Sequence, residues 1–232
     1  MLPLRDNVPT RRFPVVTVVL IAINAAVWIL YELPHLNRAI LDSGYFPCEP
    51  VHECIAPGNP WWIDIFTAMF MHGGWEHILG NMLFLWIFGN NVEDTLGRPR
   101  FVTFYLVGGL FATLSQTIVT LEAGSRSAAQ IPNVGASGAI AAVLGAYIVL
   151  FPGGRVFTWV IPFFFFELPA LLFLGIWFLL QLFLGSQSVV APEQGGGVAF
   201  FAHVGGFVFG LALVRFFAQR RPVPAADRAL LG

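Results

Sequence analysis

The fold is decided by an apolar segment near the C-terminus, FFAHVGGFVFGLALVRFF, residues 200–217. The segment approaches the length of about 20 apolar residues that a helix needs to cross a bilayer. It contains the ionisable side chain His203 near its start, two small residues four positions apart, Gly206 and Gly210, and Arg215 near its end. An apolar helix with these features indicates a membrane protein whose helices pack closely on one another.

The composition of the whole chain indicates the same environment. Of the 232 residues, 57% are hydrophobic and 11% are charged, whereas a soluble domain carries roughly 25% charged residues. Abundant aromatic residues and low charge exclude a disordered chain, and the small polar surface argues against a soluble enzyme. A net charge of −1, with no basic run longer than two residues, argues against a nucleic-acid partner. The expected surroundings are therefore a lipid bilayer.

Five further apolar runs precede the segment at 200–217. The six predicted spans are Val15–Tyr31, Glu76–Asn90, Phe101–Leu121, Ala136–Phe151, Leu168–Leu184 and Phe200–Phe217. We therefore predict an all-α, polytopic membrane protein with six transmembrane helices in one membrane domain, residues 15–218, between tails at 1–14 and 219–232. The aromatic segment Phe157–Glu167 is expected to lie along the membrane interface, with Glu167 interfacial rather than buried.

The arginines predict the orientation. The chain has twelve basic residues, all of them arginine, and with the N-terminus inside only Arg38 and Arg126 fall on the outer side. The positive-inside rule then places both termini in the cytoplasm. The first span follows Arg11 and Arg12, as a signal peptide would, but its apolar run is longer than a signal core. We therefore expect a retained anchor and an integral protein of the plasma membrane.

Polar side chains occur at one depth on three of the spans. His77 lies fourteen residues before Asn91, where the polar loop after its span begins. Ser137 and His203 each lie fourteen residues before the last residue of their spans. Fourteen helical residues rise about 21 Å, which leaves each side chain about 9 Å below the outer surface of a hydrocarbon layer roughly 30 Å thick. Asn81 follows His77 by four residues and shares its helix face. Polar groups at membrane depth mark function by default.

Small residues indicate which of these helices touch. The fourth span carries Gly138, Ala142 and Gly145 at helical spacing, and the sixth carries Gly206 and Gly210. Small residues at such spacing let two helix backbones approach closely in lipid. The serine and the histidine of these two spans lie beside the small residues, so close packing would bring the hydroxyl to the imidazole.

Two interpretations of these polar residues compete. A serine in a membrane helix is usually structural, and a single histidine is more often a packing residue than a base. The shared depth favours Ser137 as a nucleophile and His203 as its base. The side chains of His77 and Asn81, with the Ser137 backbone N–H, are expected to stabilise an oxyanion. Without an acidic residue placed to orient His203, we expect a dyad, with no metal or cofactor, below a water-filled cavity.

The motifs resemble those of the rhomboid family of intramembrane serine proteases. The matching stretches are HGGWEHILGN at residues 72–81, NVEDTLG at 91–97, GASG at 135–138 and AHVGGFVFG at 202–210. The resemblance covers roughly residues 14–218. It implies the six-helix rhomboid core without a seventh helix.

The resemblance also implies residue roles and substrates. Ser137 corresponds to the nucleophile and His203 to the general base, while His77 and Asn81 correspond to oxyanion-stabilising residues. His72 matches a family position that is structural rather than catalytic. The implied substrates are single-span membrane proteins, cut in or near the membrane next to small residues.

Access to the site and the packing of the histidine are two further implications. The fifth span and the loop Gly185–Ala199 would act as gate and cap, with the glycines at 195–197 making the loop mobile. Many family members have an aromatic residue one helical turn after the serine, packed on the histidine, where this chain has Ala141. A neighbouring aromatic residue such as Phe200 or Phe201 would then hold His203.

The predicted outer loop contains the two cysteines, Cys48 and Cys54. An oxidising exterior permits a disulfide between them. With His52 they also form a Cys-x3-His-x-Cys pattern, a weak zinc motif because a fourth ligand is not evident, and two free thiols are the third alternative. Trp61 and Trp62 in the same loop suit a membrane interface.

Two other functions compete with a protease. A catalytically inactive rhomboid-like protein that binds membrane clients would have lost the serine or the histidine, and both are present. A transporter or channel needs polar residues that continue to the inner face, whereas the deeper parts of the fourth and sixth spans are apolar or small. We therefore expect a serine endopeptidase, and the sequence leaves its oligomeric state open.

Overall fold

The computed structural model describes residues 1–54, 59–160, 162, 164–190 and 199–219. The described chain is mostly helical. Its α-helices are α1 (Val15–Val27), α2 (Leu36–Ser43), α3 (Trp61–Thr67), α4 (Trp75–Leu96), α5 (Arg98–Ala123), α6 (Arg126–Ala129), α7 (Ser137–Leu150), α8 (Ala170–Val190) and α9 (Phe200–Phe217). A π-helical turn at Trp28–Glu32 continues α1, and 3₁₀ turns cover Glu49–Val51 and Ala68–Phe70.

Among the described residues, four helical segments are long and apolar enough to cross a membrane. They are Val15–Glu32, Arg98–Ala123, Ala170–Ser188 and Phe200–Phe217. The chain is therefore a multi-pass membrane protein, as the sequence predicted. α4 continues past the predicted Asn90 to Leu96, and α7 is a shorter apolar helix. The count of six spans stays a prediction.

The expectation of an all-α fold is wrong in one place, because the described chain also contains a small antiparallel sheet. Its strands are β1 (Leu2–Asp6), β2 (Arg155–Val160) and β3 (Phe164–Pro169), in the spatial order β1-β2-β3. β1 lies in the segment predicted as a tail, and the other two strands cover most of the predicted interfacial segment. Glu167 is exposed, as expected, beside Arg155 at 3.5 Å.

The strands form because the sequence after α7 changes its period. Pro152, Gly153 and Gly154 follow the helix and cannot continue it. Beyond them Val156 and Thr158 are fully buried while their neighbours are exposed or half-buried, which is the alternation of a strand with one packed face. The run of aromatic residues predicts an interfacial segment, but it does not reveal the alternation of buried and exposed side chains that the strand shows.

The sheet packs on the ends of α4 and α7 that lie away from Ser137. The Tyr147 hydroxyl of α7 donates to Asp6 Oδ2 at 2.6 Å, and the Asn91 side chain of α4 donates to the Val8 carbonyl at 2.9 Å. Buried Val156 joins the main apolar core. The N-terminal segment is therefore part of the folded molecule.

A carboxylate of α4 caps the N-terminus of α1. Buried Glu93 accepts hydrogen bonds from the backbone N–H of Val16 at 3.0 Å and of Thr17 at 2.7 Å, and from the Thr17 hydroxyl at 2.8 Å. The first N–H groups of a helix have no partner within the helix, and an anion beside them is favourable. Glu93 thereby fixes α1 against the far end of α4.

α7 and α9 approach so closely that glycine is required between them. A Cβ added at Gly206 would overlap the Gly138 carbonyl oxygen, and one added at Gly210 would overlap the Ala142 carbonyl oxygen. The contact between these two helices agrees with the prediction from their small residues. It brings the first turn of α7 beside the first turn of α9.

α5 holds the start of α9 in place. The side-chain oxygen of Gln116 accepts hydrogen bonds from the backbone N–H of Phe201 at 2.9 Å and of Ala202 at 3.2 Å. The side chain of α5 thus caps two N–H groups that lack a partner within α9. His203 follows directly after this capped turn.

The loop between α2 and α3 contains a disulfide that joins Cys48 to Cys54. Of the three alternatives that the sequence left open, the structure therefore shows the disulfide rather than free thiols or a zinc cluster. The loop is tied to the segment before α7 by an isolated β-bridge between Tyr45 and Asn133. Trp61 and Trp62 of α3 are exposed, and their contact with a membrane interface stays a prediction.

Candidate active site

Ser137 is the first residue of α7, and the turn before it requires glycine. Gly135 has a φ of +128°, a region that favours glycine, and its N–H donates to the Ala68 carbonyl at 2.9 Å. A Cβ at this position would lie only 2.7 Å from His77 Nε2. The missing side chain therefore lets the loop, the serine and the imidazole of α4 approach one another.

Ser137 and His203 are joined by a hydrogen bond. Ser137 Oγ lies 2.8 Å from His203 Nε2, and His203 Nδ1 lies 2.7 Å from the side-chain oxygen of Gln181 on α8. An amide oxygen can only accept, so Nδ1 carries the proton of the neutral ring. Nε2 is then free to accept from the serine hydroxyl, which is the arrangement that a general base needs.

Two residues of α8 contact His203, and neither is predicted from the sequence. Besides Gln181, the ring of Trp177 lies 5.8 Å from the His203 ring, centroid to centroid. The expectation that Phe200 or Phe201 would hold the histidine is therefore wrong, because the packing ring comes from α8. The sequence feature that could have predicted them is a polar side chain, Gln181, within the predicted fifth span. It follows Trp177 by four residues and so lies on the same helix face.

His77 and Asn81 of α4 face the serine from the other side. His77 Nδ1 accepts a hydrogen bond from the Gly73 N–H at 3.2 Å, so the ring proton belongs on Nε2, the nitrogen directed toward Gly135. Asn81 is buried, and its amide nitrogen has no hydrogen-bond partner among the described residues. Both side chains can therefore donate a hydrogen bond toward the space above the serine.

All four predicted site residues line one cavity. The cavity has a volume of about 760 Å³, and its walls include Ser137, His203, His77, Asn81 and Trp177. Apolar residues of α4 and α7 line much of the rest, together with Glu76 of α4 and residues of the segments that precede α4, α7 and α9. Polar groups inside a membrane domain are tolerated where they line such a cavity. A cavity beside the serine is therefore present, as predicted, while its water content and its opening to the outer side stay predictions.

His72 lies behind His77, outside the set of side chains that line this cavity. The two rings meet edge to face at 5.1 Å, and the His72 backbone N–H donates to the buried carboxylate of Glu32. Burial lowers the pKa of His72 to about 3, so its ring is neutral at physiological pH. These contacts fit a supporting role. Glu32 is not among the residues predicted from the sequence, because it lies one residue beyond the predicted first span.

Some predictions fall outside what the structure describes. Most of the predicted cap, including the glycines at 195–197, lies in residues 191–198, and the C-terminal tail lies almost entirely in residues 220–232. Within the described part of the chain, no group of three or more His, Cys, Asp or Glu side chains could hold a metal ion. The absence of a metal or cofactor stays a prediction.

The fold and the site define a class of protein: a helical multi-pass membrane protein with a hydrogen-bonded serine and histidine inside a cavity of its membrane domain. The Rhomboid domain matches residues 59–220, which include α4, α7, α8 and α9. The chain belongs to the rhomboid family.

Several curated proteins are similar to this chain. Presenilin-associated rhomboid-like protein, mitochondrial, of Rattus norvegicus is 28% identical over 203 residues, which is 85% of this chain and 47% of that protein. Rhomboid protein 1, mitochondrial, of Saccharomyces cerevisiae is 27% identical over 83% of this chain and 50% of its own length. YdcA of Bacillus subtilis, whose name includes the words rhomboid protease, is 30% identical over 60% of this chain and 64% of its own length. The chain spans about half the length of the first two relatives.

Proposed function

We propose that this protein is a serine endopeptidase that cuts membrane-protein substrates in or near their transmembrane segments. The observation that carries the proposal is the 2.8 Å contact between Ser137 Oγ and an unprotonated His203 Nε2. A hydroxyl becomes a competent nucleophile when a base within hydrogen-bond reach takes its proton. Membership of the rhomboid family, and the word protease in the name of one relative, support the same activity.

The first half of the reaction acylates the serine. Ser137 Oγ attacks the carbonyl carbon of the scissile peptide bond while His203 Nε2 takes the hydroxyl proton. The former carbonyl oxygen becomes an oxyanion. When the C–N bond breaks, His203 gives its proton to the leaving amine. An ester between the N-terminal fragment and Ser137 remains, and the histidine is neutral again.

The second half hydrolyses this ester. His203 Nε2 takes a proton from a water molecule whose oxygen attacks the ester carbonyl. The C–O bond to Ser137 then breaks, and the histidine returns the proton to the serine oxygen. The products are a carboxylic acid and the restored dyad. The cavity of about 760 Å³ beside Ser137 offers room for the substrate segment and the water.

Three donors converge on the expected position of the oxyanion. They are His77 Nε2–H, the Asn81 amide group and the backbone N–H of Ser137. The Gly73 N–H fixes the required His77 tautomer, and the amide nitrogen of Asn81 has no competing partner within the described structure. Donors that are already oriented before charge develops lower the barrier, because they need no rearrangement during the reaction.

The same proposal includes the topology and the cellular membrane. α4 and α7 complete six spans, both termini face the cytoplasm, and the cavity opens on the outer side. Single-span membrane proteins enter beside the fifth span. The sequence indicated the plasma membrane, whereas two relatives carry the word mitochondrial in their names. Fractionation of source cells with plasma-membrane and mitochondrial marker proteins distinguishes the two locations.

The alternatives make different use of the same residues. An inactive client-binding protein does not need an oriented base, yet Gln181 and Trp177 both contact His203. A channel needs a polar path to the far side, whereas the main apolar core lies along α7 beyond the serine, from Ile140 to Leu150. Both observations favour the endopeptidase.

The test is cleavage of a model single-span substrate by the purified protein in liposomes. We expect Ser137→Ala and His203→Ala each to reduce the cleavage rate by on the order of 10³-fold or more. Ser115→Ala is a matched control, because Ser115 also lies in a membrane helix but donates to the Phe111 carbonyl. His35→Ala changes an exposed histidine away from the site. Both controls should cleave like the wild type.

A fluorophosphonate probe provides a second reading that needs no substrate. Labelling of the wild type and of Ser115→Ala, but not of Ser137→Ala, is expected. Cleavage or labelling that survives in Ser137→Ala would assign the reaction to another nucleophile. A wild type that neither cleaves nor reacts with the probe, but retains bound membrane clients, would support the inactive alternative.

A further inference from the structure

Strand β3 carries an aromatic surface that the proposed reaction does not use. Phe164, Phe165 and Phe166 are exposed by 58%, 54% and 49%. In the order β1-β2-β3, this strand pairs only with β2 among the described residues and forms an edge of the described sheet. Three consecutive exposed phenylalanines at an edge are a liability in water and indicate an interaction surface.

The register of the sheet divides these residues between two faces. Residues directly opposite one another on antiparallel strands project to the same side. Phe166 pairs with Thr158, and Phe164 pairs with Val160. Thr158 shares its face with Val156, which is fully buried in the main core. Phe164 and Phe166 therefore lie on the side of the sheet that faces the helices, beyond the area that the helices cover.

The opposite face of the sheet is mixed in character. Phe165 pairs with Trp159 and stacks on Phe157 at 5.8 Å between ring centroids. Arg155 and Glu167 lie on this face as well, with their charged groups 3.5 Å apart. Charged side chains belong on the side that contacts water. The strand is thus amphipathic, with Phe164 and Phe166 on its purely apolar side.

The apolar side of β3 continues into a membrane helix. β3 ends at Pro169, and α8, one of the candidate spans, begins at the next residue. In the first turn of α8, Leu171 and Leu172 are exposed by 57% and 49%, as suits a surface covered by lipid. The two phenylalanines lie within a few residues of that surface in sequence.

We propose that Phe164 and Phe166 insert their rings into the lipid leaflet beside the start of α8, so that β3 lies in the membrane interface. The rings lose contact with water, while the unpaired backbone groups at the strand edge stay hydrated among the head groups, because hydrocarbon would leave them without partners. The occupant of this surface is lipid. The inference depends on the membrane location of the chain and not on its catalytic activity.

The experiment measures where each phenylalanine position lies relative to lipid. Phe164→Cys, Phe166→Cys and Phe165→Cys are each labelled with an NBD fluorophore and reconstituted in vesicles of phosphatidylcholine and phosphatidylglycerol. The native cysteines do not compete, since Cys48 and Cys54 are joined in a disulfide. Brominated acyl chains should quench NBD at positions 164 and 166, and aqueous iodide should quench it at 165. The Ser137→Ala background gives the same result if the inference is correct.

Other outcomes overturn the inference. Equal iodide quenching at all three positions would place the strand in water. The NBD groups at positions 164 and 166 could instead be protected from iodide only at high protein density and lose that protection when the protein is diluted in lipid. That result would assign the surface to a second copy of this chain, paired edge to edge. The unmodified protein supplies a check that needs no variant: a lipid with a photoactivatable diazirine on its acyl chain should label the peptide 155–169. A peptide without label would contradict the proposal.

Discussion

His203 of α9 is contacted by side chains from two other helices, α7 and α8. α7 supplies the serine that bonds to Nε2, and α8 supplies the glutamine that bonds to Nδ1 and the tryptophan that packs on the ring. An amide fixes the tautomer as a carboxylate would, but it brings no negative charge to stabilise the imidazolium. Gln181 is therefore a positioning residue with a smaller expected effect than the aspartate of a charged triad.

We predict that Gln181→Leu lowers kcat by about 10-fold to 100-fold with little change in KM. The leucine leaves both tautomers of His203 accessible, and partners that orient a functional histidine typically contribute this much. Gln181 is not among the residues that line the cavity, so substrate affinity should not depend on it. Kinetics with the single-span substrate in liposomes measure both constants.

Two further variants test whether Gln181 acts by orienting the His203 ring or only by filling space in α8. Gln187→Leu changes an exposed glutamine on the same helix and should leave kcat unchanged. Gln181→Glu adds a charge that favours the imidazolium and should move the acid limb of the pH–rate profile to higher pH. A Gln181→Leu variant with wild-type kcat, or a Gln181→Glu profile that does not move, would contradict the assignment.

The residues of the site were predictable to different degrees. Ser137, His203, His77 and Asn81 share one depth and lie in family motifs, so the sequence alone singles them out. Gln181 lies in an apolar helix 22 residues before His203, and the rotation of that helix is set by packing in the folded molecule. Sequence spacing carries no information about this rotation.

Among the elements, α7 and α9 depend most on backbone proximity. We predict that Gly210→Ala destabilises the protein by about 1–3 kcal/mol, the usual cost of inserting a methyl group into packed surroundings. The new methyl group would overlap a backbone carbonyl, which cannot rotate away as a side chain can. Unfolding by sodium dodecyl sulfate in mixed micelles provides the free energy.

Gly175→Ala is the matched control for this variant. Gly175 lies in membrane helix α8, and a Cβ added there would meet no atom within 4 Å among the described residues. The same chemical change should therefore leave stability near that of the wild type. Equal stability of the two variants would mean that α7 and α9 can separate without cost.

The elements also show where a sequence pattern is ambiguous. The bounds of α9 agree with the predicted span, because an apolar run of this length between polar flanks predicts a transmembrane helix. The segment 155–169 is short, aromatic and apolar, and such runs do not reveal whether they form strands or helices. One of the two pairing partners of β2, strand β1, lies about 150 residues earlier, and no local pattern predicts that contact.

At the scale of the whole molecule, the stability of the fold should depend on pH through the disulfide-containing loop. Burial, with a further contribution from Asp64, raises the pKa of Glu49 from 4.5 to about 7. The folded state therefore binds more protons than the unfolded state between these values, and the stability that Glu49 contributes falls as pH rises through that range.

We predict that Glu49→Gln raises the unfolding temperature at about pH 8 and leaves it unchanged at about pH 4.5. Glutamine resembles the protonated carboxyl at both values, so only the wild type changes. Thermal unfolding in detergent across this range measures the difference. Glu53→Gln, in the exposed part of the same loop, is the control. A constant offset between wild type and Glu49→Gln would show that charge is not the cause.

The contact of Glu93 with the first turn of α1 has a consequence for biosynthesis. The Glu93 carboxylate accepts a hydrogen bond from the Thr17 N–H, and the two residues are separated by 76 positions in the chain. At ribosomal rates of roughly 5–20 residues per second, α1 exists for roughly 4 to 15 s before this partner has been made. During that interval its first N–H groups rely on water or on the insertion machinery. The first helix thus reaches its final state only when α4 arrives, which makes assembly of the bundle sequential.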